Sequence, residues 1–148
     1  MNVRVAQLQD ASAVAGLFDA YRQFYGEAAD LALATSFISE RLRNNESVIL
    51  VATDDAGNML GFCQLYPTFC SVEARPIYVL YDLFVAQPLR KAGAGRQLLL
   101  AAEAHAREHG IARMKLSTAI TNLPAQALYE SLGWVRESEF YAYNRALV

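Results

Sequence analysis

The sequence predicts an α/β fold, a mixed and twisted sheet of six to seven strands with helices on both faces. Three observations lead there. The 148 residues suit one domain spanning 1–148, and a chain of that length buries roughly two-thirds of the surface its unfolded form exposes. Hydrophobic residues make up 54% and charged residues 19%, which excludes a disordered or fibrous chain. The hydrophobic periodicity reads βααβββαβαββ, strand-rich first and then a strand–loop–helix–strand–helix unit.

Val3-Arg4-Val5-Ala6-Gln7-Leu8 alternates as a strand does. Asp10 can then cap a helix in which Val14, Leu17, Phe18, Tyr21, Phe24 and Tyr25 recur at helical spacing. Gly26–Ala34 is weakly specified, and a second helix is expected over Phe37–Arg43. Ser47–Thr53 and Met59–Tyr66 are strands either side of the hairpin punctuation Asp54-Asp55-Ala56-Gly57-Asn58. Pro67–Pro76 is a loop or a frayed continuation of that strand, and Ile77–Val85 carries the strongest strand signal in the chain. A long helix follows the basic turn at Arg90–Arg96 and stops at Gly110. Met114–Thr118 is a short strand, and Asn122 stands before a helix that contains Pro124 and ends near Leu132-Gly133. Trp134–Arg136 and Phe140–Ala146 are expected to close the fold as a hairpin.

Charge narrows the function. Lys plus Arg is 13 against 15 for Asp plus Glu, so the chain lacks the basic excess of a nucleic-acid binder. Residues 90–115 nevertheless hold six basic residues and only two acidic ones, leaving seven basic and 13 acidic elsewhere. A basic island on an acidic body suits a compact polyanionic ligand better than a duplex. No apolar run approaches the length of a membrane span, and Met1-Asn2-Val3-Arg4 leads straight into alternating residues, so a cytoplasmic protein is expected. Cys63 and Cys70 fit no metal spacing and are read as reduced thiols. His105-Ala106-Arg107-Glu108-His109 matches an inverted zincin pattern letter for letter. No third ligand follows it, so no metal is expected and the pair reads as a solvated helix end.

The basic island opens a helix. In Ile77–Leu100 a strand is followed by Arg90, Lys91, Ala92, Gly93, Ala94, Gly95 and Arg96, then by helical spacing. Glycines let backbone approach a ligand closely, and the unpaired N–H groups and dipole of a helix start favour phosphate oxygens. The same pattern also suits a plain helix start with capping glycines. The dinucleotide fingerprint wants a third glycine where Leu98 stands, and the P-loop ending Gly-Lys-Ser/Thr is absent.

Arg90-x-x-Gly93-x-Gly95 after Leu83-Phe84-Val85 resembles the (Gln/Arg)-x-x-Gly-x-(Gly/Ala) pyrophosphate loop of the GNAT superfamily of acetyl-CoA-dependent N-acyltransferases. About thirty residues on, Asn122-x-x-Ala125-x-x-Leu128-Tyr129-Glu130-x-Leu132-Gly133-Trp134 resembles that superfamily's Asn-x-x-Ala-x-x-(Leu/Phe)-Tyr-x-x-x-Gly-(Phe/Trp) segment. The resemblance covers Met59–Val148 well and the first 58 residues in outline. It implies a cofactor cleft where the central strands diverge, with acetyl-CoA as cofactor and coenzyme A as product. The backbone of Leu83, Phe84 and Val85 would pair with the pantetheine arm, and N–H groups from about Lys91 to Arg96 would hold the pyrophosphate. Asn122 would contact the cofactor arm or cap its helix, and Tyr129 would protonate the departing thiolate.

Amine attack on a thioester needs a neutral amine: at a lysine-like pKa of about 10.4, only roughly 1 molecule in 2,500 is neutral at pH 7. Asp82-Leu83-Phe84-Val85 also resembles the polyamine acetyltransferases, but Tyr81 stands where those enzymes carry a glutamate. Asp82 is then the nearest carboxylate in sequence and a candidate base, directly or through water; a structural or substrate-orienting role is the alternative. Tyr129 has its own alternative as an ordinary packing residue beside Leu128 and Leu132. Tyr21, Phe24, Tyr25, Tyr66, Phe69 and Tyr81 are candidates for an acceptor pocket, and Glu27, Asp30 and Glu73 are solvated charges or attract a cationic acceptor.

The expected activity is direct transfer of acetyl from acetyl-CoA to a small-molecule amine, amino-acid-like compounds included. Protein or peptide N-acetylation is the runner-up, and a non-catalytic acyl-CoA sensor the reading from another class. Neither nucleic acid nor membrane is an expected partner, and a homodimer through the late strands or exposed aromatics is compatible with the sequence.

Overall fold

The alternating segments of the N-terminal half pair in chain order as an antiparallel sheet. In this computed structural model, which describes residues 1–86 and 93–148, β1 is Asn2–Val5, β2 Val48–Thr53, β3 Met59–Cys70 and β4 Arg75–Val85. A short β5, Met114–Lys115, adds in parallel to β4 and completes the order β1-β2-β3-β4-β5. Helices α1 (Ala11–Phe24), α2 (Leu31–Arg43) and α3 (Ala94–Glu108) belong to the same unit, Met1–Leu116. Residues Ser117–Val148 form a second compact unit around α4, Leu123–Ser131.

Apolar spacing decides which faces are covered. Val14 and Phe18 of α1 and Ala34 and Ile38 of α2 form one buried cluster with Ile49, Val51, Phe62 and Phe84 of the sheet. Phe18 stacks on Phe37 with centroids 5.3 Å apart. Leu98, Leu99, Ala102 and Ala106 of α3, spaced for one helix face, are buried outside that cluster against the strands. Gly110, at φ 70°, stops α3 as the sequence predicts.

Several expectations need correction. Among the described residues the sheet has five strands rather than six or seven. Trp134–Arg136 and Phe140–Ala146 carry no strand, and Phe140, Tyr141 and Tyr143 are exposed. Alternation equips a segment for pairing, but a strand exists only where a neighbour takes its backbone groups. The second helix begins at Leu31, earlier than expected, because the Asp30 carboxylate accepts from the Leu33 N–H and caps it. Asp10 does not cap α1 with its side chain; it holds Arg4 at 2.8 and 2.9 Å and accepts from the Gln7 N–H. Of the two readings of Pro67–Pro76, continuation of the strand holds and the loop does not: β3 and β4 run on to a turn at 71–74, with Pro67 opposite Tyr78 and Pro76 opposite Phe69.

β3 and β4 approach most tightly at Gly61, which pairs with Val85. A Cβ there would lie 2.7 Å from the Phe84 carbonyl oxygen, a backbone atom that cannot step aside alone. Gly61→Ala is therefore expected to lower the Tm by roughly 5 °C, as overpacking does. Gly16→Ala, in α1 with open space around it, should stabilise by roughly 0.5–1 kcal/mol. Thermal unfolding of the two variants against wild type checks the contrast.

Candidate active site

The site begins with an irregularity in β4. Gln64 pairs with Asp82 while the next residue of β3, Leu65, pairs with Leu80, so Tyr81 is an extra residue on β4. One extra residue inverts which side chains face which side. Before it, Tyr78 lies toward α3, its hydroxyl 3.2 Å from His105 Nδ1. After it, Phe84 packs toward α1, with its ring 5.9 Å from that of Tyr21. Asp82 follows Phe84 to the α1 side.

Asp82 is only 5% exposed. Gln64, fully buried, donates from Nε2 to Asp82 Oδ2 at 2.6 Å, and the Ser47 hydroxyl donates to Gln64 Oε1 at 2.7 Å. Burial pushes the Asp82 carboxyl above the ordinary carboxylate range, against the hydrogen bond from Gln64 and the neighbouring Tyr21 hydroxyl, which favour its charge. Its neighbours respond. Burial and the charge of Asp82 drive the Cys63 thiol well above its ordinary value, and burial with the same charge pushes the Tyr66 phenol up to about 12. Cys63 is thus a protonated thiol rather than a nucleophile.

Beside Asp82 lies a cavity of about 430 Å³ walled by six aromatic side chains, Phe18, Tyr21, Tyr25, Phe37, Tyr66 and Tyr81. Arg22, Glu27 and Asp82 complete the wall. The Tyr21 hydroxyl donates to the Tyr81 carbonyl at 3.2 Å and ties α1 to the bulge. Tyr66 and Tyr81 meet edge to face at 5.6 Å. Of the pocket candidates, Tyr21, Tyr25, Tyr66 and Tyr81 are in the wall; Phe24 and Phe69 are not. Glu27 is in the wall too, whereas Asp30 caps α2 and Glu73 pairs with Arg113 at 3.0 Å.

Sequence reasoning missed Gln64, Ser47, Phe18, Phe37 and Arg22. Gln64 did leave a signal, since it is the one strongly polar side chain in Leu60–Tyr66.

The expected cofactor residues fall into three groups. Leu83, Phe84 and Val85 end β4, beyond the last pairing with β5 at Val79 and Lys115. Phe84 also packs in the core, and Val85 is buried. Gly93 sits at φ 83° as the N-cap of α3, and Ala94, Gly95 and Arg96 form its first turn, where N–H groups have no intrahelical acceptor. The expected sites Arg90, Lys91 and Ala92 lie outside the described residues. In the second unit, Asn122 Oδ1 accepts from the Ala125 N–H at 3.2 Å and caps α4. Tyr129 is half-buried on α4, its ring 6.1 Å from that of Trp134. His105 and His109 stack at 4.0 Å, and His109 Nδ1 lies 2.8 Å from the His105 carbonyl.

Comparison with known proteins adds an independent line. Residues 14–134 match the model of the family described as Acetyltransferase (GNAT) family. The chain is 46% identical over 143 residues to the uncharacterized N-acetyltransferase YhfO of Bacillus subtilis (strain 168), covering 97% of this chain and 95% of that protein. A solved structure of a probable acetyltransferase matches with a TM-score of 0.94 at 38% identity, over 100% of this chain and 99% of that one. The ribosomal-protein-alanine N-acetyltransferase of Brucella melitensis biovar Abortus 2308 shares the fold, with a TM-score of 0.80 at 19% identity over 99% and 100% of the two chains.

The raised pKa of Asp82 has a consequence for stability. Folding makes this carboxyl harder to ionise, so the folded state binds the proton more tightly than the unfolded one, and stability falls as pH rises from the unfolded value of about 3.9 through the folded value. Asp82→Asn keeps an acceptor for Gln64 and removes the charge. The variant is expected to melt roughly 2–4 °C above wild type at pH 7, with the gap closing as pH falls below the unfolded value. Calorimetry at neutral and acid pH reads it directly.

Proposed function

The chain belongs to the GNAT family of acetyltransferases, and from that premise we propose that it transfers acetyl from acetyl-CoA to the amine of a small molecule, an amine or amino-acid-like compound. The observation that carries this reading is the buried Asp82 in the wall of an aromatic cavity of about 430 Å³, beside the end of β4. Aromatic faces attract an ammonium group while excluding water around it. A cavity of that volume is in the range of small-molecule sites.

Several features support coenzyme A as the acyl carrier. β4 continues through Leu80–Val85 past its β5 pairs, and a left-handed Gly93 opens α3. The N–H groups of Ala94–Arg96 would hold the pyrophosphate, as would Arg90, Lys91 and Ala92, and the backbone of Leu83–Val85 would pair with the pantetheine arm. Asn122 would add a contact while capping α4. When bound, acetyl-CoA supplies an activated carbonyl and a thiolate leaving group.

The chain's own residues then manage protons. Asp82 accepts one from the acceptor ammonium, freeing the lone pair that attacks the carbonyl. Tyr129, the proposed acid of the second unit, gives its phenolic proton to the leaving sulfur. The attack is direct, with no covalent enzyme intermediate, a reading supported by Cys63 and Cys70 standing in no motif for nucleophilic chemistry. No helix among the described residues is long and apolar enough to cross a membrane, and we place the protein in the cytoplasm.

Thiol release from acetyl-CoA across amines, amino acids, polyamines, aminoglycosides and lysine peptides tests the proposal. Turnover is expected with one class of small amine, and Tyr129→Phe should lower kcat by about 10²–10⁴-fold while acetyl-CoA binding persists. Turnover confined to lysine or N-terminal peptides would overturn the small-molecule reading. An undiminished kcat in Tyr129→Phe would remove the acid from the mechanism.

A further inference from the structure

The buried amide beside Asp82 is fixed in one sense. An ionised carboxylate has only lone pairs to offer, so the group it meets at 2.6 Å must be the NH₂ of Gln64. That leaves Gln64 Oε1 pointing away, and the Ser47 hydroxyl fills it from the half-buried residue just before β2. Ser47 therefore holds the amide against the flip that would set Oε1 against the carboxylate. Gln64 is fully buried and sits directly opposite Asp82 in the β3–β4 ladder, on the paired side of the Tyr81 bulge. A buried amide is costly unless both ends are satisfied. Here both ends are satisfied, by the two groups that make its orientation useful.

We propose that Gln64, oriented by Ser47, is the positioning residue for Asp82: it engages Oδ2 and fixes the carboxylate in the cavity wall, where it takes the proton of the acceptor ammonium. The inference rests on reading Asp82 as the base. In the step, an N–H bond of the ammonium breaks, an O–H bond forms on Asp82, and the electron pair stays on nitrogen. Gln64 changes no bond; it lowers the cost of the carboxylate before the transfer and holds its plane toward the cavity. The other titratable or charged groups near Asp82 are Tyr21 of α1, Cys63 and Tyr66 of β3, Tyr81 of β4, and Arg22 and Glu27 in the cavity wall. Burial and the charge of Asp82 push Cys63 and Tyr66 upward, away from the acid range in which a carboxyl changes charge.

The test is the pH profile of kcat/KM for the acceptor in wild type, Gln64→Leu, Ser47→Ala and Asp82→Asn, with the KM for acetyl-CoA measured alongside. Gln64→Leu removes a hydrogen bond that favours the charged carboxylate, so the acid limb should move to higher pH and kcat should fall about tenfold, with the KM for acetyl-CoA unchanged. Ser47→Ala should move the limb the same way by less, and it carries the test if the buried Leu variant fails to fold. Asp82→Asn should abolish the limb. If Asp82→Asn abolishes it while Gln64→Leu and Ser47→Ala lower only the Tm, Gln64 is merely structural and the inference falls while the base stands. If Asp82→Asn leaves rate and limb as in wild type, the base reading falls and this inference with it.

Discussion

A single extra residue in β4 governs the geometry of the site. With strict alternation, Asp82 would share a face with Tyr78 and Leu80, turned toward α3. Tyr81 inserts into the ladder between Leu80 and Asp82 and inverts that phase. The polar consequence is Asp82 beside Gln64 and Tyr21; the apolar one is Phe84 in the core with α1 and α2. The bulged residue is put to use as well. Tyr81 is 67% exposed, lines the cavity with its ring and receives the Tyr21 hydroxyl on its carbonyl.

The close approach at Gly61 belongs to the same construction. A bulge loosens a ladder locally, and the strands on its C-terminal side are brought back together where Gly61 meets Val85 with no room for a Cβ. β4 therefore leaves its partnership with β5 while keeping a firm partnership with β3. A strand held on one side and parted from its parallel neighbour on the other is what a cleft between central strands requires.

Much of this was legible in the sequence, and the failures have physical causes. Helix α3 announced itself because its glycines, basic residues and apolar spacing agree, and because Gly110 ends it. The hairpin of β2 and β3 did so through alternation and the Asp-Asp-Ala-Gly-Asn turn. Pro67 and Pro76 obscured the full length of β3 and β4, since proline reads as a breaker although a ladder tolerates it where no N–H is needed. Phe140–Ala146 misled in the opposite direction: its aromatic residues suit a strand, but composition carries no information about whether a partner is present. Within the site, Asp82 was found as the carboxylate nearest in sequence to Tyr81, which stands where the resemblance would put a glutamate. Gln64 and Ser47 were missed because their roles depend on pairing across strands, and the bulge that aligns them leaves no mark in a one-dimensional pattern.

Burial of Asp82 also answers a difficulty of the chemistry. In water a carboxylic acid and an alkylammonium differ by about six pKa units, far too much for the first to deprotonate the second to any useful extent. An aromatic cavity that sheds water as an acceptor enters would act on both partners at once, disfavouring the carboxylate and the ammonium alike, so that the acid's pKa would rise as the amine's fell. Charge separation loses ground to the neutral pair, and the neutral pair is the one that contains a nucleophile. Gln64 and the Tyr21 hydroxyl act the other way and favour the carboxylate. In the proposed reaction the site would set desolvation, which favours the proton on oxygen, against these polar neighbours, which favour the charge.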